Sequence, residues 1–230
     1  MSDVTQNGAT PAPAAGPAQA GSSRQIVERV VRTIAETAVA NEERFSQLDS
    51  VVGDGDFGFS LARGFERVLA ELDQLDRRTP GAFLKRVAVI ITSRCGGTSG
   101  PIWGTAFLRA GAKAAGKNEL SGADVVEMLR AAADGIHARG KAVLGEKTLL
   151  DALIPATDTI QEAVAQGKSP AEIARAAADT TLQAAEATKQ LEAKRGRASY
   201  TGERSIGSVD AGAMALAVIT EKIAQNWPTE

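Results

Sequence analysis

Three aspartates and three glycines fall within residues 48–60, whose sequence is LDSVVGDGDFGFS. Asp49, Asp54 and Asp56 supply the oxygen ligands that Mg²⁺ prefers. In phosphoryl-transfer sites, such an ion bridges carboxylates to phosphate oxygens. The glycines let the backbone turn tightly around it. We therefore predict that this segment, the acidic turn, holds Mg²⁺ against phosphate groups.

Other interpretations of the acidic turn fit less well. Its GDGDFG run at residues 53–58 matches the dinucleotide-binding pattern, but that pattern follows a strand and the preceding residues here have helical periodicity. An EF-hand loop starting at Asp54 would need glycine where Phe59 stands and glutamate where Phe65 stands. A solvated turn with a helix-capping aspartate remains open for the motif taken alone.

A second glycine-rich segment, the glycine turn, has the sequence GGTSGP at residues 96–101. Its proline suits the first turn of a helix. Gly97, Thr98 and Ser99 would then lie at a helix N-terminus, where unpaired N–H groups and the helix dipole attract phosphate. A plain capped turn explains the same residues equally well.

The longest predicted connection, the lid loop, runs from Glu192 to Asp210. Connections of this length inside a compact domain usually serve a function. Its charged residues are Glu192, Lys194, Arg195, Arg197, Glu203, Arg204 and Asp210. Arginines beside glycines are typical of a mobile phosphate clamp, although an ordinary solvated loop would have a similar composition.

Residues 135–142, GIHARGKA, differ by one position from a phosphate-binding Walker A motif. They lack its terminal Ser or Thr and the strand that precedes it, so we interpret the match as accidental. Gly140 remains a position where a ligand could approach the backbone closely.

The composition favours a small ligand over a polymer. The 230 residues carry 26 basic and 28 acidic side chains, a balance that predicts neither a nucleic-acid partner nor a membrane surface. The longest apolar stretches fall short of the roughly 20 residues that span a bilayer. A single cysteine, Cys95, and the lack of a signal-peptide pattern predict a cytoplasmic protein.

Few aromatic residues, abundant alanine and helical periodicity predict an all-α fold. Residues 1–24 are rich in Ala, Pro, Gly and Ser and are predicted to be a disordered leader, followed by one helical domain at 25–230. We expect eight helices in an antiparallel bundle. The first of these is a long helix from Gln25 that continues through Phe45 and Leu48.

Four segments together resemble the L subunit of dihydroxyacetone kinases. They are LDSVVGDGDFG at 48–58, GGTSGP at 96–101, GEKTLLDAL at 145–153 and GRASYTGERSIGSVDAGA at 196–213. The resemblance covers about residues 25–226. It implies an eight-helix antiparallel barrel with a nucleotide site at one end, where ADP or ATP is held through two Mg²⁺ ions and covered by the lid loop.

The resemblance also implies a role for each motif position. The metal ligands would be Asp49, Asp54 and Asp56, and Arg197 would be catalytic. The nucleotide contacts would be Phe57, Gly58, Phe59, Ser60, Gly97, Thr98, Ser99, Gly140, Leu149, Arg197, Asp210, Ala211 and Gly212. Of these, Gly140 and Leu149 would line the adenine side.

The chain departs from the family pattern at two of these positions. Phe57 stands where the family usually has histidine, so an apolar ring replaces a polar nucleotide contact. Ala211 stands where the family usually has proline, and that change removes a backbone constraint from the lid loop.

By this resemblance, the chain passes a phosphoryl group to dihydroxyacetone or a related short keto-sugar held on a separate K subunit. We favour the phosphotransferase-system type, in which bound ADP is rephosphorylated by a donor subunit. The alternatives are the L component of a split ATP-dependent dihydroxyacetone or tetrulose kinase, a non-catalytic nucleotide-binding regulatory module, and a purely structural helical bundle.

Overall fold

The computed structural model describes residues 22–228, and within them the fold is all-α, as predicted. The α-helices are α1 (Ser23–Ala40), α2 (Glu42–Ser50), α3 (Phe57–Glu71), α4 (Pro80–Arg94), α5 (Ser99–Lys113), α6 (Gly122–Gly140), α7 (Leu150–Ala165), α8 (Pro170–Ala187) and α9 (Ala211–Gln225). Short 3₁₀ helices cover Leu72–Gln74, Thr188–Gln190 and Arg197–Ser205. Residues 1–21 of the predicted leader lie outside the described residues. No helix in the described part of the chain is long and apolar enough to cross a membrane.

Serine capping boxes begin three of the helices. Ser22, Ser121 and Ser169 each accept a side-chain hydrogen bond from the backbone N–H three residues later, and the side chain of that later residue accepts one from the serine's own backbone N–H. These reciprocal bonds satisfy donors that the first helical turn cannot pair internally. The sequence thus fixes where α1, α6 and α8 start.

The predicted first helix is two helices, α1 and α2, because the helical conformation is interrupted at Asn41. The Asn41 side chain donates a hydrogen bond to the Thr37 carbonyl at 2.9 Å, and its backbone N–H donates to the same oxygen. A side chain that competes for main-chain carbonyls favours a helix end. The new helix, α2, then carries Asp49 in its last turn.

The helices pack in a closed sequence. α1 contacts α3, each helix from α3 to α8 contacts the next, and α9 returns against α1, while α2 lies against α3 and α9. At the centre, the rings of Trp103 and Phe107 meet the ring of Phe65 edge-on, with centroids 6.1 and 6.2 Å away. This buried aromatic cluster anchors α5 to α3. The N-terminus of α5 lies in the glycine turn, and the N-terminus of α3 lies in the acidic turn.

Candidate nucleotide and metal site

The structure brings the three predicted metal ligands together. Asp49, Asp54 and Asp56 each place a carboxylate oxygen within 4.8 Å of the others. The turn between them depends on Gly55, whose φ of +75° is unfavourable for other residues. The Gly55 N–H donates to Asp49 Oδ2 at 2.8 Å, and so the turn folds around the first carboxylate.

The close approach of three carboxylates changes their proton affinity. Burial raises the pKa of Asp49 most, the charges of Asp54 and Asp56 raise it further, and backbone N–H donors from Gly55 and Phe57 oppose both effects. Burial and the neighbouring Asp54 also raise the pKa of Asp56. A divalent cation would relieve this repulsion, and an all-oxygen donor set suits Mg²⁺. The residues therefore fit the predicted metal.

The lid loop places Arg197 on the acidic turn. Arg197 Nε lies 2.5 Å from Asp54 Oδ2, and the arginine side chain is 70% exposed. The predicted catalytic residue thus contacts a predicted metal ligand across 143 positions of sequence, because the lid loop folds back to the acidic turn. The positive charge of Arg197 lowers the pKa of Asp56, although burial and Asp54 outweigh it.

The glycine turn adjoins the acidic turn through Ser60. Ser60 is buried in the first turn of α3, and a Cβ added at Gly96 would lie 3.0 Å from Ser60 Oγ. Gly97 has a φ of +58° and is exposed, and Thr98 precedes α5 without making a side-chain cap hydrogen bond. The first N–H groups of α5, including that of Ser99, therefore lack a side-chain cap.

Three predicted nucleotide contacts pack against α2. The ring of Phe57 packs against that of Phe45 with centroids 6.2 Å apart. A Cβ at Gly58 would lie 2.0 Å from the Glu42 carbonyl oxygen, so only glycine allows this approach of α3 to α2. The Phe59 N–H donates to Ser46 Oγ at 3.2 Å, and its ring is 55% exposed. These contacts set the distance between α2 and α3.

The predicted adenine-side residues gather at a separate apolar patch. Leu149 and Ile102 pack against the same buried cluster, which includes Ile136 and Leu150. A Cβ at Gly140 would contact the Ile102 side chain at 3.2 Å. Ile102 was not among the predicted contacts, although its place in the first turn of α5, directly after the glycine turn, is a signal in the sequence for a residue beside the site.

The residues that end the lid loop lie beside this patch. A Cβ at Gly212 would lie 3.3 Å from that of Leu149, and Ala211 is partly exposed next to it. The Asp210 carboxylate accepts a hydrogen bond from the Ala213 N–H at 2.7 Å and caps α9. Burial raises the pKa of Asp210 to about 7, despite that bond and the nearby charge of Lys147.

Comparison with known proteins identifies several relatives. The family model described as the DAK2 domain matches residues 51–225. The PEP-dependent dihydroxyacetone kinase, ADP-binding subunit DhaL of Escherichia coli is 35% identical over 79% of this chain and 87% of its own length. The D-erythrulose kinase of Mycolicibacterium smegmatis is 34% identical over 87% of this chain but only 35% of its own length.

A solved structure has the same fold. The crystal structure of the dihydroxyacetone kinase of C. freundii superposes on 98% of this chain with a TM-score of 0.68 and 25% sequence identity. The chain spans 38% of that enzyme's length. The similarity thus covers most of a separate ADP-binding subunit and about a third of the longer kinases.

Proposed function

The chain belongs to the DAK2 domain family, and we propose that it is the nucleotide-holding subunit of a dihydroxyacetone kinase. It passes a phosphoryl group to dihydroxyacetone, or to a related short keto-sugar, held on a separate K subunit. The observation that carries this proposal is the convergence of three carboxylates with Arg197 at one end of the helices. A purely structural bundle would have no reason to concentrate like charge there.

The cofactors we propose are ADP or ATP with two Mg²⁺ ions. Asp49, Asp54 and Asp56 would hold these ions, which would neutralise charge on the phosphate groups. The backbone N–H groups of Gly97, Thr98 and Ser99, just before and at the uncapped start of α5, would bind phosphate oxygens.

Arg197 is the residue we assign to the transfer step. Its side chain is long and exposed, and its guanidinium already lies beside the acidic turn. The guanidinium can therefore bind the oxygens of the transferred phosphoryl group as negative charge develops on them. Gly58, Phe59 and Ser60 form the first turn of α3, directly after the acidic residues. Phosphoryl transfer depends mainly on such positioning and electrostatic stabilisation.

The base of the nucleotide would lie against the apolar patch. Gly140, Leu149 and Ile102 offer a small, uncharged surface, and the turn of Asp210, Ala211 and Gly212 borders it. Phe57 directs its ring towards Phe45 in the core, so its contribution to the nucleotide is through its backbone and through the position of α3.

We favour the phosphotransferase-system type with ADP as a bound cofactor, because the chain spans 87% of a subunit that is named ADP-binding and PEP-dependent. Its partners would be the K subunit and a phosphoryl donor subunit, and it would act in the cytoplasm. The second candidate is the L component of a split ATP-dependent kinase, supported by the similarity to an erythrulose kinase. Phe57 is the one feature that favours a non-catalytic nucleotide-binding module.

Mass analysis of nucleotide released by acid from the dialysed protein tests the proposal. Stoichiometric ADP, followed by transfer to dihydroxyacetone with a K subunit and a phosphoryl donor, is the expected result. A nucleotide-free protein that consumes ATP only with the K subunit would identify the split kinase. Nucleotide binding without any transfer would instead support the regulatory module.

A further inference from the structure

A buried lysine lies between α6 and α7. Lys147 is 3% exposed, and its backbone has a φ of +59°, which is uncommon for a residue with a side chain. Burial lowers the pKa of Lys147, whereas the charge of Asp210 opposes that change. No carboxylate in the described chain lies within salt-bridge distance of its Nζ. A buried charge in a strained backbone position needs an explanation beyond packing.

Four backbone carbonyls surround the Lys147 ammonium. Nζ donates to the carbonyl oxygens of Thr188, Leu191, Ser205 and Ser208 at 3.0, 3.1, 2.7 and 2.6 Å. Every one of these partners is an acceptor, which fits the charged form, whose three N–H donors serve the four carbonyls with one hydrogen shared between two of them. The carbonyls of Thr188 and Leu191 lie just before the lid loop, and those of Ser205 and Ser208 lie near its end. One cation therefore joins residues 188–191 to residues 205–208, the two strands of chain that we call the neck of the lid loop.

The backbone around Lys147 is fixed by Asp151. The Asp151 carboxylate accepts hydrogen bonds from the Gly145 N–H at 2.5 Å and from the Thr148 N–H at 2.7 Å. These bonds close the turn that holds Lys147 at positive φ. The lysine is thus aimed from a rigid turn, and the lid loop is attached to that turn through the ammonium.

A second attachment lies between the neck and Arg197. Glu146 accepts two hydrogen bonds from Arg195, at 2.7 and 2.9 Å, and its carbonyl accepts one from the Lys194 N–H at 3.1 Å. Arg197 follows two residues later and reaches Asp54. Adjacent residues 146 and 147 therefore hold the lid loop on both sides of Arg197: Glu146 binds residues 194–195 before it, and Lys147 binds residues 205 and 208 after it.

We propose that Lys147 is a positioning residue that holds the lid loop closed at its neck, so that Arg197 is directed at the acidic turn. The proposal rests on the function proposed above for its effect on transfer. Its structural part, the attachment of residues 192–210 by Lys147, is independent of that function. Lys147 lies in the neck and not among the residues assigned to the nucleotide.

The test uses the full chain with Lys147→Met, which keeps most of the unbranched apolar side chain and removes the charge and donors. Lys189→Met is the matched control, because Lys189 is an exposed lysine near the neck that pairs with Glu186. Amide hydrogen exchange is followed across residues 192–210 and across α4 and α5. Single-turnover transfer to dihydroxyacetone is measured with the K subunit, alone and combined with Arg197→Ala.

In Lys147→Met, the amide exchange rate of the lid loop should rise by about tenfold or more, while the amides of α4 and α5 stay protected. Transfer should fall on the order of 100-fold, as a misplaced catalytic group predicts, with a much smaller change in Mg-ADP affinity. In the Arg197→Ala background, Lys147→Met should add little, because a positioning residue acts through the group it positions. Lys189→Met should match the wild type in every measurement.

An unchanged amide exchange rate in the lid loop would overturn the proposal. So would a fall in the transfer rate of the double variant equal to the product of the falls in Lys147→Met and Arg197→Ala. Equal loss of protection in α4, α5 and the lid loop would also overturn it, since Lys147 would then serve global stability. If Lys147→Met does not fold, Lys147→Gln, which keeps two N–H donors, replaces it, and failure of both variants to fold counts against the proposal. A wild-type protein that transfers no phosphoryl group contradicts the proposed function alone, because the exchange measurements still decide whether Lys147 holds the loop.

Discussion

The acidic turn and the lid loop meet at the same site but are held in different ways. The acidic turn is fixed by short-range contacts: Gly58 packs against the Glu42 carbonyl, and Asp49 accepts the Gly55 N–H. The lid loop is held by charged groups at its neck, and its Arg197 is mostly exposed. The metal-binding side is therefore built into the packing, whereas the arginine side can move.

The largest effect expected from breaking this arrangement is that of Asp54→Ala. Loss of one of three carboxylates should abolish Mg²⁺-dependent ADP binding, a fall of at least about 100-fold by the usual cost of a lost charged contact. The melting temperature without ligand should change little, because Asp54 does not pack in the core. Calorimetry with Mg-ADP checks both points, with the exposed Asp158→Ala as control. Unchanged ADP affinity would contradict the metal assignment.

Arg197→Ala should separate the two regions most clearly. Transfer should fall by about 10²–10³-fold, as removal of one electrostatic stabiliser typically does. Stability should change by less than about 0.5 kcal/mol, because the ion pair with Asp54 is solvent-exposed. Single-turnover kinetics and thermal unfolding measure the two effects. A large loss of stability with normal transfer would show that Arg197 is structural.

Gly58→Ala should disturb the packed side. The added Cβ would meet backbone atoms of Glu42 and Ser46 at 2.0 and 2.5 Å, so α2 and α3 must separate. We expect a loss of about 1–3 kcal/mol in unfolding free energy, together with weaker Mg-ADP binding. Gly140→Ala, whose Cβ would meet only the end of the Ile102 side chain at 3.2 Å, should cost less. Denaturant titration of both variants makes the comparison, and equal losses would contradict it.

Asp210→Asn should have the smallest effect, visible as a change in pH dependence. Because burial raises the pKa of Asp210 from 3.8 to about 7, its protonated form stabilises the fold below about pH 4. That contribution is lost as the pH rises towards 7. Asparagine can still cap α9 and does not ionise, so the variant should gain stability relative to the wild type as the pH rises from about 4 to 7. A difference in unfolding free energy between Asp210→Asn and the wild type that stays constant across this pH range would contradict the prediction.

The sequence predicted the features that depend on neighbours along the chain. The acidic turn places its carboxylates within eight residues, and the Ser121 capping box needs only four. These local patterns, with the resemblance they supported, identified the all-α fold and the family, and both are confirmed.

Contacts between distant segments could not be read from the sequence in the same way. The Lys147 ammonium binds main-chain carbonyls 41 to 61 positions away, and a carbonyl leaves no trace in residue identity. The break at Asn41 depended on a side chain that can either continue a helix or compete with it. The turn of Phe57 into the core, against Phe45, likewise required the packing of α2 on α3.

The closed order of helices has a consequence for engineering. Ile26 and Arg29 near the start of α1 line the same surface depression as Ile223 and Trp227 near the end of α9. The two ends of the described chain are therefore neighbours, and a short linker should join them. Circular permutants opened between α5 and α6, away from the acidic turn and the neck, should fold and retain the site. Permutants opened within residues 188–208 should lose the attachment of Arg197 while keeping the carboxylates in place.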